Sequence, residues 1–137
     1  MEIKPGTSIS AITFPQFTRE QLKAYADASG DFNPIHQDDE AAKKLGFPTV
    51  IVHGMLSAAL LAERAEKFVR EELGKKNWIL EKFQTRFKAI AYPGDALTIA
   101  GTVKECSESL IVLDLKALNQ KGELTVNGSA RYRLNEW

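Results

Sequence analysis

Gly54-Met55-Leu56-Ser57-Ala58-Ala59-Leu60-Leu61-Ala62 is apolar on nearly every side of a helix, and this stretch decides the fold. The helical pattern runs from Gly54 to about Leu73 and becomes amphipathic in its second half. There Glu63, Arg64, Glu66, Lys67, Arg70, Glu71 and Glu72 mix with Ala65, Phe68, Val69 and Leu73, and Gly74 closes the element. A helix without a polar face in its first half has to be surrounded by protein. The rest of the chain must therefore supply a wall.

Downstream residues read as that wall. Period-two alternation predicts strands over 78–90, 96–104, 109–118 and 123–134. In the first, Ile79, Phe83, Phe87 and Ala89 share one face, opposite Lys82, Gln84, Arg86 and Lys88. The stretch 109–118 is apolar on both faces until Asp114 and Lys116, which predicts a central strand. Pro93-Gly94-Asp95 and Asn119-Gln120-Lys121-Gly122 are turn signals, and short connections of this kind join antiparallel neighbours. The predicted class is α+β, with an antiparallel sheet wrapped around a long central helix.

Upstream, residues 8–14 predict a short strand. Thr18 and Gln21 fit a Thr-x-x-Gln capping box opening a helix in which Leu22, Tyr25, Ala26 and Ser29 fall at helical spacing before Gly30. A second short helix is predicted from Asp38 to Leu45. Its acids lie at the start, Lys43 and Lys44 near the end and Gly46 beyond, an order that suits the helix dipole and a glycine cap.

Composition bounds the rest. A chain of 137 residues suits a single domain spanning 1–137. Eighteen Lys plus Arg balance eighteen Asp plus Glu, which removes the electrostatic reason to expect nucleic acid or a membrane surface as partner. No apolar run approaches the roughly 18 residues of a membrane span. Residues Met1 to Gly6 lack an apolar core, so no signal peptide is expected. Cys106, the one cysteine, lies in the polar stretch Glu105-Cys106-Ser107-Glu108. No internal disulfide is possible, and a reducing, cytoplasmic setting is the simplest reading.

The chemistry centres on Gly30-Asp31-Phe32-Asn33-Pro34-Ile35-His36. Pro34 lacks an N–H and biases Asn33 away from the helical region, so the first helix cannot continue through it. Gly30 and Pro34 hold a turn that can aim the Asp31 carboxylate and the His36 imidazole at one point. Such a pair can hold one water and move protons to and from it. The same residues also make an ordinary turn in which Asp31 caps, Asn33-Pro34 punctuates and His36 packs locally. On these residues alone that is the commoner arrangement. Farther along, Ile51-Val52-His53-Gly54-Met55-Leu56 leads into the apolar helix. The first N–H groups of a helix lack internal partners and carry partial positive charge, so the Gly54 N–H could bind an enolate oxygen. A glycine that only permits a tight helix entry fits equally well.

Taken together these pieces resemble one family. Ser29-Gly30-Asp31-Phe32-Asn33-Pro34-Ile35-His36, then Gly46-Phe47, then His53-Gly54-Met55 is similar to the signature of (R)-specific enoyl-CoA hydratases and MaoC-like dehydratases. The match is close over residues 25–56, and Tyr92-Pro93-Gly94-Asp95 resembles the family's turn before a later strand. The resemblance implies a hot-dog fold that is a homodimer or a higher homo-oligomer. It implies Asp31 and His36 as the catalytic pair, the Gly54 amide as the group polarising the thioester carbonyl, and Asn33 as support for the loop. It gives His53 a structural role at the helix entry. The implied reaction adds water across a trans-2-enoyl thioester, carried on coenzyme A or acyl carrier protein, to give an (R)-3-hydroxyacyl product. Dehydration is its reverse, and no metal or redox cofactor is implied. A hot-dog acyl-CoA thioesterase, or the catalytic subunit of a heterodimeric acyl-carrier-protein dehydratase, are the alternatives.

Other signals read as structural. Glu63 and Glu66 mimic a thioesterase acid, but a solvated or ion-paired face fits better beside Arg64 and Lys67. Lys75, Lys76, Lys82, Arg86 and Lys88 suit solvent more readily than coenzyme A phosphates. Trp78 and Phe83 fit a core better than an acyl pocket.

Overall fold

A computed structural model describes residues 3–74 and 77–135, so Lys75 and Lys76 lie outside the described residues. The elements in order are β1 (Ser8–Thr13), α1 (Arg19–Ser29), a 3-10 turn (Pro34–His36), α2 (Asp39–Lys44), α3 (Gly54–Lys67), β2 (Trp78–Phe87), β3 (Thr98–Cys106), β4 (Leu110–Leu118) and β5 (Leu124–Leu134). A π-helical turn over Phe68–Glu72 extends α3, closed by the Leu73 N–H on the Phe68 carbonyl at 3.1 Å. The local signals act as their chemistry requires. The Gln21 N–H donates to Thr18 Oγ1 at 3.0 Å, although the reciprocal half of the capping box is not formed. Gly30 ends α1 in the left-handed region at φ 79°, a conformation that costs glycine no steric strain. Asp38 caps α2, accepting the Glu40 N–H at 3.0 Å.

All five strands are antiparallel neighbours in the order β1-β3-β4-β5-β2, with β4 central as its two-sided apolar pattern predicts. Strand β2 departs from the expected order, in which the Pro93-Gly94-Asp95 turn makes it an antiparallel neighbour of β3. It pairs with β5 at the far edge, not with β3, so only β3-β4-β5 run as consecutive hairpins. The segment after β2 crosses back instead of turning. On the way, the Lys88 and Ala89 N–H groups reach the Thr125 carbonyl, and the Ala91 carbonyl receives the Val52 N–H at 2.8 Å. A second correction concerns Ile79. A bulge between Leu80 and Lys82 reverses the alternation, so Trp78 is buried and Ile79 is 48% exposed.

The core between α3 and the sheet includes Leu56, Leu61, Ala65 and Phe68 from the helix side with Ile99, Val103, Leu113, Leu115, Val126 and Tyr132 from the strands. The sheet does not enclose the helix completely. Met55 and Ala59 stay exposed along one side of α3. Arg64 departs further from expectation, because it is buried instead of solvated. Its guanidinium donates to the Ser10 carbonyl and Ser10 Oγ, both at 3.0 Å, and pairs with Glu72 at 2.9 Å. A buried charge needs partners of this kind, and here they tie β1 to α3. Glu66 pairs with Arg70 and accepts from the Tyr132 hydroxyl at 2.9 Å; burial first, then this bond, push the Tyr132 ionisation well above its ordinary value.

Two glycines lie on one line across the sheet. Gly101 pairs with Leu115, Leu115 with Gly128, and Gly128 with Thr85. A Cβ on Gly101 would fall inside the Asp114 carbonyl oxygen's contact distance, and one on Gly128 inside that of Gln84. β3 approaches β4, and β5 approaches β2, this closely at these two points because both residues lack side chains.

Candidate active site

The turn after α1 is built from its own side chains. The Asp31 N–H donates to Ser29 Oγ at 3.1 Å, and Asp31 Oδ1 accepts the Asn33 N–H at 3.3 Å. Asn33 Oδ1 accepts the Ile35 N–H at 3.2 Å, and its carbonyl accepts the His36 N–H at 3.1 Å, so Asn33 caps the 3-10 turn that Pro34 begins. Capping does not use up the Asp31 carboxylate. Its other oxygen, Oδ2, lies 3.8 Å from His36 Nε2. The ordinary-turn arrangement and the convergent one therefore coexist, one on each carboxylate oxygen. A separation of 3.8 Å is too long for a direct hydrogen bond. It leaves room for one water to touch both groups from the side.

His36 is buried, and its orientation fixes its tautomer. Nδ1 lies 2.8 Å from the Ile51 carbonyl, an acceptor only, so Nδ1 carries the proton. In the neutral ring the lone pair is then on Nε2, the nitrogen facing Asp31. Asp31 itself is half exposed, open to an incoming molecule.

His53 caps the amino end of α3 without any side-chain bond to that helix. Its ring stacks on His36, with centroids 3.8 Å apart and 20° between planes, and Tyr25 of α1 tilts against it at 4.8 Å. Its Nε2 lies 3.2 Å from the Asp31 carbonyl, so Nε2 carries the proton. Burial pushes the His53 ionisation below the ordinary imidazole value. The bond to the Asp31 carbonyl opposes that, and the neighbouring His36 adds to it.

Gly54 begins α3 directly after His53, and its N–H belongs to the uncapped first turn. A Cβ there would meet the Phe87 ring at 3.2 Å and 3.3 Å, so the aromatic ring lies flush against the helix entry. Phe32, Met55 and Phe87, each beside or against these residues, are left exposed, as is Ile90. Ser57, the hydroxyl in the early part of the helix, is buried.

Asp31, His36 and His53 each bring a ligand atom within 4.8 Å of the others, and so invite the question of a metal. The rings do not fit a shared ion. Metal bonds of about 2 Å run along imidazole lone pairs within the ring plane. Rings with centroids 3.8 Å apart and planes tilted by only 20° do not bring their in-plane lone pairs together within that reach.

Sequence reasoning brings Asp31, His36, Asn33 and Gly54 to this place. It misses three participants: the Ile51 carbonyl, the Phe87 ring and the stacked face of His53. Phe87 has a visible signal in its strand alternation, but that pattern reads as core. The other two depend on contacts that only folding makes.

Behind the dyad, Asp39 anchors the chain that carries His36 and the helix entry. Its carboxylate accepts from the Thr49 hydroxyl at 2.7 Å, the Val50 N–H at 3.0 Å and Arg19 at 3.0 Å. The Thr49 bond first, then Arg19 and the Val50 N–H, lower its ionisation from 3.8 to about 2. A carboxylate with a depressed value stabilises the fold fully above the unfolded value and loses that contribution as pH falls through the folded one. Between 3.8 and about 2 the wild-type chain should therefore lose stability that Asp39→Asn lacks throughout. Thermal midpoints of both proteins across that window would show the two curves converging at low pH.

Comparison with known proteins adds the lineage. Residues 2–115 match the family described as MaoC like domain. The chain is 31% identical over 121 residues to the (R)-specific enoyl-CoA hydratase of Aeromonas caviae, covering 87% of each. The solved (R)-hydratase from A. caviae superimposes with a TM-score of 0.79 at 28% identity, over 98% of this chain and 99% of that one. Fatty acid synthase 2 of Mycosarcoma maydis is 34% identical over 119 residues, of which this chain spans only 3%. The sheet wrapped on α3 is the hot-dog fold of these hydratases, and the chain belongs to the MaoC-like domain family.

Proposed function

We propose that the chain is a hydro-lyase that adds water across the double bond of a trans-2-enoyl thioester, giving an (R)-3-hydroxyacyl thioester, and that catalyses the reverse dehydration. One observation carries the reading: Asp31 Oδ2 and His36 Nε2 converge at 3.8 Å beside the uncapped amino end of α3. The A. caviae relative carries the name of this activity.

The chemistry follows from the placement. A water held by Asp31 and His36 gives one proton to the pair as its oxygen bonds Cβ. The π electrons shift through Cα onto the thioester oxygen, where the Gly54 N–H stabilises the developing charge. The pair then returns its proton to Cα, and the carbonyl re-forms. The sum is one water added, with nothing left on the protein. Asn33 holds the turn that presents the pair.

A hot-dog thioesterase would release free thiol, so one reaction mixture separates the two readings. Pure protein with crotonyl-CoA should lose enoyl-thioester absorbance without releasing thiol to a trapping reagent. Thiol release without hydration would replace the proposal with the thioesterase.

The acyl chain needs cover that one copy does not provide. Phe32, Met55, Phe87 and Ile90 are exposed, the Met55–Ala59 side of α3 is open, and β2 leaves a ten-residue edge with Ile79 and Leu80 uncovered. A second copy pairing along β2 would satisfy the strand edge and shield these side chains. We therefore read the working unit as a homodimer of single-domain chains. Its substrate is carried on coenzyme A or acyl carrier protein, and its setting is cytoplasmic. Sedimentation should report twice the mass of the chain. A monomer fully active on crotonyl-CoA would remove the dimer from the reading.

A further inference from the structure

The chain contains two histidines, and both stand in this site. We propose that His53 is a positioning residue for the Asp31/His36 pair: its Nε2–H holds the Asp31 carbonyl, its ring face backs the His36 imidazole, and the two rings are kept in opposite tautomers. This inference rests on the hydratase reading and deepens it.

The geometry forces the tautomers. His36 Nδ1 and His53 Nε2 both face carbonyl oxygens, which only accept, so each of those nitrogens bears the hydrogen. In the neutral rings the lone pairs are left on His36 Nε2, aimed at Asp31, and on His53 Nδ1, which is buried and has no partner among the described residues. A proton on His53 Nδ1 would place an unsatisfied charged donor in a site 1% exposed. It would also set two imidazolium rings 3.8 Å apart whenever His36 carries the proton taken from water. The groups facing His53 are His36 on the 3-10 turn, Asp31 on the preceding loop and Tyr25 on α1. Asp31 offers His53 its backbone carbonyl while aiming its carboxylate at His36. His53 is thus the neutral member of the stack. The proton in transit goes to the ring that meets the substrate.

His53 also joins two parts of the machinery. Its backbone leads into Gly54, and its side chain grips Asp31. Losing that bond lets the carboxylate and the helix entry drift independently. Displacements of about 1 Å at reacting groups cost on the order of a hundredfold in rate.

Nitrogen-15 histidine spectra give the direct test, because two rings yield two assignable sets of signals. The wild-type protein should show one ring protonated on Nδ1 and the other on Nε2. The second ring should stay neutral below the ordinary imidazole range as the pH is lowered. His53→Ala should lower kcat roughly a hundredfold with KM within about threefold. His53→Gln, whose amide can still reach the Asp31 carbonyl, should recover part of that loss. Two rings in the same tautomer, two rings gaining protons together, or wild-type kcat in His53→Ala would overturn the proposal. The spectra need no substrate, so the two failures are read separately. A wild-type protein inert toward crotonyl-CoA removes the reaction, whereas wrong tautomers remove the role of His53.

Discussion

Asp31→Asn should lower the hydration rate of crotonyl-CoA by about a thousandfold, within the range that a positioned acid–base group contributes, while the thermal midpoint moves little. The substitution isolates the chemistry because asparagine keeps a side-chain oxygen where Asp31 Oδ1 now accepts the Asn33 N–H. What it removes is the negative charge and one acceptor opposite His36 Nε2. His36→Ala should produce a loss of similar size, with some cost in stability as well, since the Ile51 carbonyl then lacks its donor. Initial rates of enoyl absorbance loss, beside melting curves of the same preparations, provide the check. Wild-type rates in both variants would sink the assigned mechanism. If the pair acts as one unit, the double variant should be no slower than the worse single one.

Gly101→Ala should prevent stable folding, with a loss above about 3 kcal/mol, and Gly128→Ala should approach it. At Gly101 the obstacle is the backbone oxygen of Asp114, and at Gly128 that of Gln84. Neither can rotate aside as a side chain would. Relief requires moving β3 from β4 or β5 from β2, and so breaking ladder bonds between them. The control is Gly122→Ala. That residue meets nothing within 4 Å and is unfavourable only through its φ of 79°, so it should cost about 1 kcal/mol. Urea midpoints of the three variants would rank them. A Gly101→Ala protein as stable as Gly122→Ala would mean the approach of β3 to β4 is not backbone-limited.

Legibility in the sequence divides along physical lines. Signals carried by neighbouring residues read correctly. The apolar run after Gly54 announces a buried helix, Gly30 and Pro34 announce a turn, and the two-sided apolar pattern of 110–118 announces a central strand. Partnerships between distant residues do not read. Nothing within Trp78–Phe87 says that its neighbour is β5, because alternation records which face is buried and not who lies alongside. The bulge after Leu80 reverses that alternation without a glycine or proline to mark it. Arg64 looks solvated among charged neighbours, yet its partners Ser10 and Glu72 come from β1 and from the π-helical turn. The site shows the same split. Asp31 and His36 share one turn and are visible together, whereas the stack of His36 on His53 joins separate elements and appears only once folded.

The element α3 carries different duties at its two ends. At its entry stand His53 and Gly54, where a nitrogen is left unsatisfied and apolar surface stays open. Ten residues on, about 15 Å along the axis, Arg64 fastens the same rod to the first strand. Groups this far apart without shared partners perturb a protein additively. Heat tolerance and catalytic speed are therefore adjustable on separate dials, and a lineage could retune one across habitats without resetting the other.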